Sequence, residues 1–232
     1  MSDIVYTSPT ERVNTWLDGS TLFIQFNNVA RHNALSVDMW EAVPVLLNQA
    51  EHDPRVRLVV FTGAGEKAFV SGADISQFED MRAAREAVTR YEHMAETALM
   101  GIFNFPKPTL ACIRGFCIGG GINVAISCDM RIAASDAVFS VPAARLGLGY
   151  RYSAMKNLVD LIGPGAAKDL FFTARKINAQ EAQSLGLVTR VCTPEADLAH
   201  CQQLIRGCFE SADYAEGRKA FMEKRKPAFK GL

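Results

Sequence analysis

The stretch Arg57–Thr62 (RLVVFT) constrains the fold of this chain more than any other. It is a nearly unbroken apolar run closed by Gly63-Ala64-Gly65, the pattern of a strand covered on both faces. Such a strand needs a parallel sheet with layers on either side. The flanking sequence supplies both. Thr21–Phe26 (TLFIQF) alternates and is rich in β-formers, so it predicts a strand. Ser36 caps a predicted helix running to Gln49, with Asp38 and Glu41 placing acid in its first turns. A second helix is expected from about Ala83 to Phe103, ended by Phe105-Pro106-Lys107-Pro108. Strands at Thr109–Ile113, Arg131–Ala134 and Val138–Ser140 surround a helix at Gly119–Cys128. From Met155 onward the pattern is mostly helical, with one strand near Leu187–Val191. Strands alternating with helices, followed by helices, imply an α/β core with a helical C-terminal segment. No internal repeat or low-complexity linker interrupts it.

Charge narrows the function. Lys+Arg and Asp+Glu each number 25, so no general electrostatic grip on nucleic acid or anionic membrane is expected. The uncharged stretch Gly115–Cys128 has 14 residues. A membrane-spanning helix needs about 20. The opening MSDIVYTSPTERVN has no apolar core of the signal-peptide kind, so the expected location is cytoplasmic. Cys112, Cys117, Cys128, Cys192, Cys201 and Cys208 form no C-x-x-C, and no histidine stands at ligand spacing from any pair. They read as buried thiols, with no metal site and no disulfide. H-E-x-x-H, G-x-S-x-G, a Walker A loop and G-x-G-x-x-G are all missing from the sequence.

Two glycine-marked turns carry the chemistry. In Ala68-Phe69-Val70-Ser71-Gly72-Ala73-Asp74-Ile75 a short strand runs into Gly72, and Asp74 begins a helical turn. In Arg114–Asn123 a loop enters a helix through Gly119-Gly120-Gly121. Glycine allows close backbone approach, and a helix start leaves N–H groups without partners. Two such starts facing one point make a pair of donors for a developing oxyanion.

These segments resemble the crotonase superfamily, the enoyl-CoA hydratase/isomerase family. The matching pieces are AFVSGADI (68–75), FPKPTLACIRGFCIGGGINVAISCDMRIA (105–133), FSVPAARLGLG (139–149), ARKINAQEAQSLGLVTRV (174–191) and YAEGRKAFMEKRKPAFKG (214–231). The resemblance implies a crotonase (ClpP-like) ββα spiral core over 1–192 and a helical segment over 193–232. It implies acyl-CoA thioester substrates, with coenzyme A as part of the substrate and no further cofactor. It also implies a homotrimer or a dimer of trimers. The backbone N–H groups of Ala73 and Gly120 would form the oxyanion hole. Arg31, Ala73, Asp74, Ile75, Phe221 and Lys224 would contact the acyl-CoA, Lys224 at a phosphate and Phe221 along an acyl chain. Tyr214, Phe221 and Met222 give the C-terminal stretch an apolar face, which the family docks against an acyl-CoA site, commonly the neighbour's.

The sequence departs from the family at two positions. A hydratase positions and activates water with two carboxylates. The corresponding places hold Asn123 and Ala143. Asn123 can hold a water but cannot take its proton; Ala143 can do neither. Ordinary hydration is therefore not expected. Tyr150 matches a tyrosine of the methylmalonyl-CoA decarboxylase branch, which also lacks the glutamate pair, although that branch has a histidine where this chain has Ala73. Arg145 or Arg151 would then bind a carboxylate. Glu92, His93 and Glu96 share a predicted helix that often lines the pocket, and read chiefly as a solvated face. Near 194–198 the chain is short against the family: a segment is deleted there, or the numbering closes over it. Three readings follow: an acyl-CoA enzyme stabilising a thioester enolate, a malonyl-type acyl-CoA decarboxylase, and a catalytically silent CoA-binding or assembly subunit.

Overall fold

The computed structural model describes residues 6–74, 85–147, 149–193 and scattered positions between 212 and 230. The chain divides into two compact units, Met1–Cys192 and Thr193–Leu232. The first contains β1 (Val13–Asp18), β2 (Thr21–Phe26), β3 (Leu58–Gly63), β4 (Ala68–Val70), β5 (Thr109–Ile113), β6 (Phe116–Ile118), β7 (Met130–Ala134), β8 (Val138–Ser140), β9 (Ile177–Asn178) and β10 (Arg190–Cys192). Its helices are α1 (Val37–His52), α2 (Arg85–Phe103), α3 (Gly120–Ser127), α4 (Tyr152–Thr173) and α5 (Ala179–Ser184).

From β3 to β8 the strands fall alternately into two sheets. One runs β1-β2-β3-β5-β7-β10, the other β4-β6-β8-β9. β3, β5 and β7 are parallel neighbours in the large sheet. β4, β6 and β8 are parallel neighbours in the small one. Each pass of the chain therefore adds one strand to each sheet before a helix returns it, which is the crotonase spiral of ββα turns. The sheets meet through aromatic rings: Phe69 of β4 sits edge-on to Phe26 of β2 at 6.1 Å, and Phe26 stacks on Phe61 of β3 at 6.3 Å. Leu58 to Thr62 are all buried, as expected for a strand covered on both faces. α1 buries Met39, Val43, Leu46 and Ala50, a stripe at helical spacing that faces the core.

Glycine is required where elements touch most closely. Gly121, at the second position of α3, lies so near β4 that a Cβ would overlap the Val70 carbonyl oxygen. α4 is two helical pieces joined at Gly163, whose φ of 79° no L side chain adopts readily; Pro164 then starts the second piece, where its missing N–H is no loss. The segment Phe116–Ile118, expected to be loop, is a strand, because it pairs on both edges with β4 and β8.

In the second unit, Arg225 grips Glu216 with both arms, at 2.5 and 2.9 Å, and the Ala228 N–H donates to the same carboxylate at 2.9 Å. The Arg225 hydrogen bonds hold that carboxyl at about 2. Tyr214, Phe221, Met222, Lys224 and the 194–198 stretch lie outside the described residues.

The contact between α3 and β4 predicts a stability difference between two glycines. Gly121→Ala should destabilise by at least the upper part of the about 1–3 kcal/mol typical of overpacking. In a chain this size that lowers Tm by several degrees, at roughly 2–4 °C per kcal/mol. Gly165→Ala, where a Cβ meets nothing within 4 Å, should leave Tm unchanged or raised. Equal Tm values for the two variants would contradict the packing described.

Candidate active site

The first turn begins where β4 ends. The Ser71 N–H donates to the His32 carbonyl at 3.1 Å. Leu35 then brackets Ala73: the Leu35 N–H donates to Gly72 at 2.8 Å, and the Asp74 N–H donates to Leu35 at 2.9 Å. This is a parallel bridge centred on Ala73. In such a bridge the central residue's own N–H and C=O point the other way. The bracket thus turns the Ala73 N–H away from Leu35. Gly72 makes the turn at φ 120°, a conformation reserved for glycine.

The second turn follows β6. The Gly119 N–H is taken by Ser140 at 3.0 Å, and the chain swings into α3 at φ 54°. The Ile122 and Asn123 N–H groups fold back on the Gly119 carbonyl at 3.1 and 3.3 Å. Gly120 is the first residue of α3, so the helix itself offers its N–H no acceptor. Among the described residues, no backbone acceptor is found for the Ala73 or the Gly120 N–H. The two turns are close: a Cβ at Gly120 would lie 3.8 Å from the Ala73 nitrogen and 3.7 Å from the Gly72 carbonyl carbon.

Tyr150 joins them. Its hydroxyl would stand 3.3 Å from a Cβ at Gly119, with Pro142 on the same side at 3.8 Å. Its ring packs edge-on against Phe171 at 5.4 Å. Burial pushes the phenol up to about 12, so the hydroxyl keeps its proton at neutral pH. Asn123 is half-buried in the first turn of α3. Ala143 lies in the 3-10 turn Pro142–Leu146 and is only 1% exposed.

Arg31 is exposed at the end of a 3-10 turn, 3.6 Å from the buried Asp74 carboxylate. Asp74 in turn lies near the interior pair Trp40–Tyr91, in which the indole N–H donates to the Tyr91 oxygen at 2.9 Å. Burial raises the Tyr91 phenol to about 12, and the Asp74 charge pushes the same way. Arg145 is exposed. Arg151 is engaged from within the protein, by Glu92 at 2.7 Å and by Glu96. His93 is exposed on α2. Ile75, Phe221 and Lys224 lie outside the described residues. Cys117 and Cys128 are buried, and burial pushes both thiols up. Among the described residues no group of His, Cys, Asp or Glu could hold a metal ion, and no helix is long and apolar enough to cross a membrane.

Reading the sequence singled out Arg31 in its stretch and missed its neighbours. Asn33, buried at φ 57°, donates its side-chain amide to Ala64 at 2.9 Å and Ala68 at 2.7 Å. It also accepts the Asn28 N–H at 3.0 Å. These bonds carry the chain into the Leu35 bracket. The available signal was the residue type, since asparagine tolerates left-handed backbone.

The enoyl-CoA hydratase/isomerase family model matches residues 18–206. The crotonyl-CoA hydratase of Syntrophomonas wolfei is 33% identical over 245 residues, covering 89% of this chain and 93% of that protein. The peroxisomal Delta(3,5)-Delta(2,4)-dienoyl-CoA isomerase of Arabidopsis thaliana is 31% identical over 197 residues, 81% of this chain and 70% of that one. The crystal structure of an enoyl-CoA hydratase/carnithine racemase from Magnetospirillum magneticum superposes with a TM-score of 0.83 at 28% identity, covering 98% of each chain. Together with the two-sheet spiral and the paired glycine turns, these matches show that this chain belongs to the enoyl-CoA hydratase/isomerase family.

Proposed function

We propose that this protein processes acyl-CoA thioesters by stabilising a thioester enolate between the Ala73 and Gly120 N–H groups. The observation that carries this reading is the pair itself: two backbone donors from different turns, close together and without described backbone acceptors. Such donors gain most when charge develops on the oxygen between them, each worth about 3 kcal/mol of barrier. The fixed backbone needs little reorganisation as that charge appears. Arg31, Asp74, Ile75, Phe221 and Lys224 are the proposed contacts to the CoA and acyl groups. The family resemblance also leads us to expect a trimer or a dimer of trimers.

Ordinary hydration has no support from the residues at hand. Asn123 is an amide and cannot accept the proton of an attacking water. Ala143 is aliphatic and covered. Glu92 and Glu96 carry carboxylates, but both are paired with Arg151. Crotonyl-CoA hydration by this chain should fall well below the about 10 per second typical of enzymes. Mass-spectrometric assay of the product checks this, and turnover at or above that rate would contradict it. Asn123→Glu alone should restore little, because a catalytic pair acts as a unit.

Decarboxylation of a malonyl-type thioester is the second reading, and the place of Tyr150 favours it. There the bond to the carboxylate breaks, its electron pair becomes the enolate, and carbon dioxide leaves. No base is needed, only a stabilised enolate and a proton donor to quench it. The Tyr150 hydroxyl is such a donor at the Gly119 turn. The ion pairs of Arg151 count against its binding a substrate carboxylate, which leaves the exposed Arg145 for that part. A panel of crotonyl-CoA, methylmalonyl-CoA and longer enoyl-CoA esters separates the readings. Binding without turnover of any ester would favour the silent subunit.

Tyr150→Phe should lower turnover of the active ester by about 10²–10⁴-fold, the usual contribution of one positioned proton donor. The wild-type pH profile should show no alkaline fall below about pH 10 from this group, since its phenol ionises only near 12. An unfolded tyrosine ionises near 10.0. Stability linked to this group is therefore complete below that pH and lost as the pH climbs through 12. Unchanged turnover in Tyr150→Phe would remove Tyr150 from the mechanism.

A further inference from the structure

Arg151 follows Tyr150 directly and precedes α4 in extended backbone. Its guanidinium spans to α2, one arm on Glu92 at 2.7 Å and the other on Glu96. Glu92 and Glu96 are four apart, so they stand on one face of that helix. The Ser153 hydroxyl donates to the second Glu96 oxygen at 3.3 Å. The beginning of α4 is thus tied to α2 through Arg151 and, more weakly, through Ser153.

The stretch just before it has little else to hold it. Among the described residues, neither Gly149 nor Tyr150 has a backbone hydrogen bond. The Tyr150 ring has its edge-on contact with Phe171, which lies beyond the Gly163 break in α4. The ring also packs against the core, so its body is held while its hydroxyl end depends on the backbone that carries it. That backbone is next restrained at Arg151.

We propose that Arg151 is a positioning residue: its fork onto Glu92 and Glu96 fixes the chain at 151 and holds the Tyr150 hydroxyl beside Gly119. This rests on the reading of Tyr150 as the proton donor, whose hydroxyl must hydrogen-bond the enolate before the proton passes. The ion pairs should contribute little to folding. The three side chains are 36 to 50% exposed, and pairs in that setting add little to stability. Their geometry matters more than their strength. A planar guanidinium can hold two carboxylates at fixed angles, whereas an ammonium is a point charge on a flexible stem.

Acetoacetyl-CoA tests this without knowledge of the natural substrate, since its enolate absorbs in the near ultraviolet. The quantity read is the pH at which half of the bound probe is enolate, measured on the full chain. Wild type should lower this midpoint relative to free probe. Tyr150→Phe should raise it, with about tenfold or more less enolate at fixed pH. Arg151→Ala should do the same with Tm nearly unchanged, and Arg151→Lys should recover only part. Adding Arg151→Ala to Tyr150→Phe should change nothing further, because both act through one hydroxyl. Raising salt from about 0.1 to 1 M should move the wild-type midpoint toward that of Arg151→Ala and leave the variant itself in place. Additive effects in the double variant, or a normal midpoint in Arg151→Ala beside a raised one in Tyr150→Phe, would overturn the proposal and spare the role of Tyr150. A normal midpoint in Tyr150→Phe would defeat that role first, and Arg151 with it.

Discussion

Two backbone hydrogen bonds to Leu35 set the direction of the Ala73 N–H, and the rest of the site is arranged around that direction. The Leu35 N–H holds Gly72 and its carbonyl holds Asp74, so the residue between them must present its own N–H outward. The bracket depends on Asn33, whose amide anchors the loop to the ends of β3 and β4. The start of α3 is brought up to it by the parallel pairing of β4 with β6 and by the absence of a side chain at Gly121. Neither donor is a side chain. In the proposed mechanism the chemistry would therefore be carried by the fold, and any acyl group that brings its thioester oxygen to the same point would meet the same pair.

What side chains surround that point then decides the reaction. Relatives of this chain are named as hydratases and as dienoyl-CoA isomerases, so one framework hosts more than one outcome. Here the positions that the resemblance assigns to glutamates are an amide and a buried methyl group. The titratable group at the glycine turn is a phenol that burial keeps protonated. A site with two N–H donors and one neutral acid suits a substrate that generates its own electron pair. It suits poorly one that needs a proton removed. Glu92 and Glu96 are carboxylates on α2, and both are paired with Arg151.

Local pattern was enough for elements whose neighbours are standard. β2, β5 and β8 occupy the residues that alternation and apolar runs indicate, and α1 starts one residue after Ser36, which takes the N-cap position without the expected side-chain capping bond. β6 escaped because three residues between glycines at φ 62° and 54° carry no period; their strand character comes from partners far along the chain. β1 escaped for a related reason. Val13–Asp18 has weak alternation and is fixed by antiparallel pairing with β2 through the Gly19 turn. At the site, glycines marked both turns before any fold was known. The Leu35 bracket left no mark of its own, since any residue can supply an N–H and a carbonyl. Arg151 read as a ligand for a substrate carboxylate, because nothing near it in sequence revealed Glu92 and Glu96, 59 and 55 residues away.

The central claim is that the Ala73 and Gly120 N–H groups polarise a thioester carbonyl. Infrared difference spectroscopy of bound butyryl-CoA, labelled with carbon-13 at the thioester carbon, reads that polarisation directly. The carbonyl band should move to lower frequency on binding. The shift should be smaller in Gly120→Ala, whose methyl group would stand at ordinary contact distance, 3.8 Å, from the Ala73 nitrogen. A bound thioester whose carbonyl band stays where it lies in water would contradict the account.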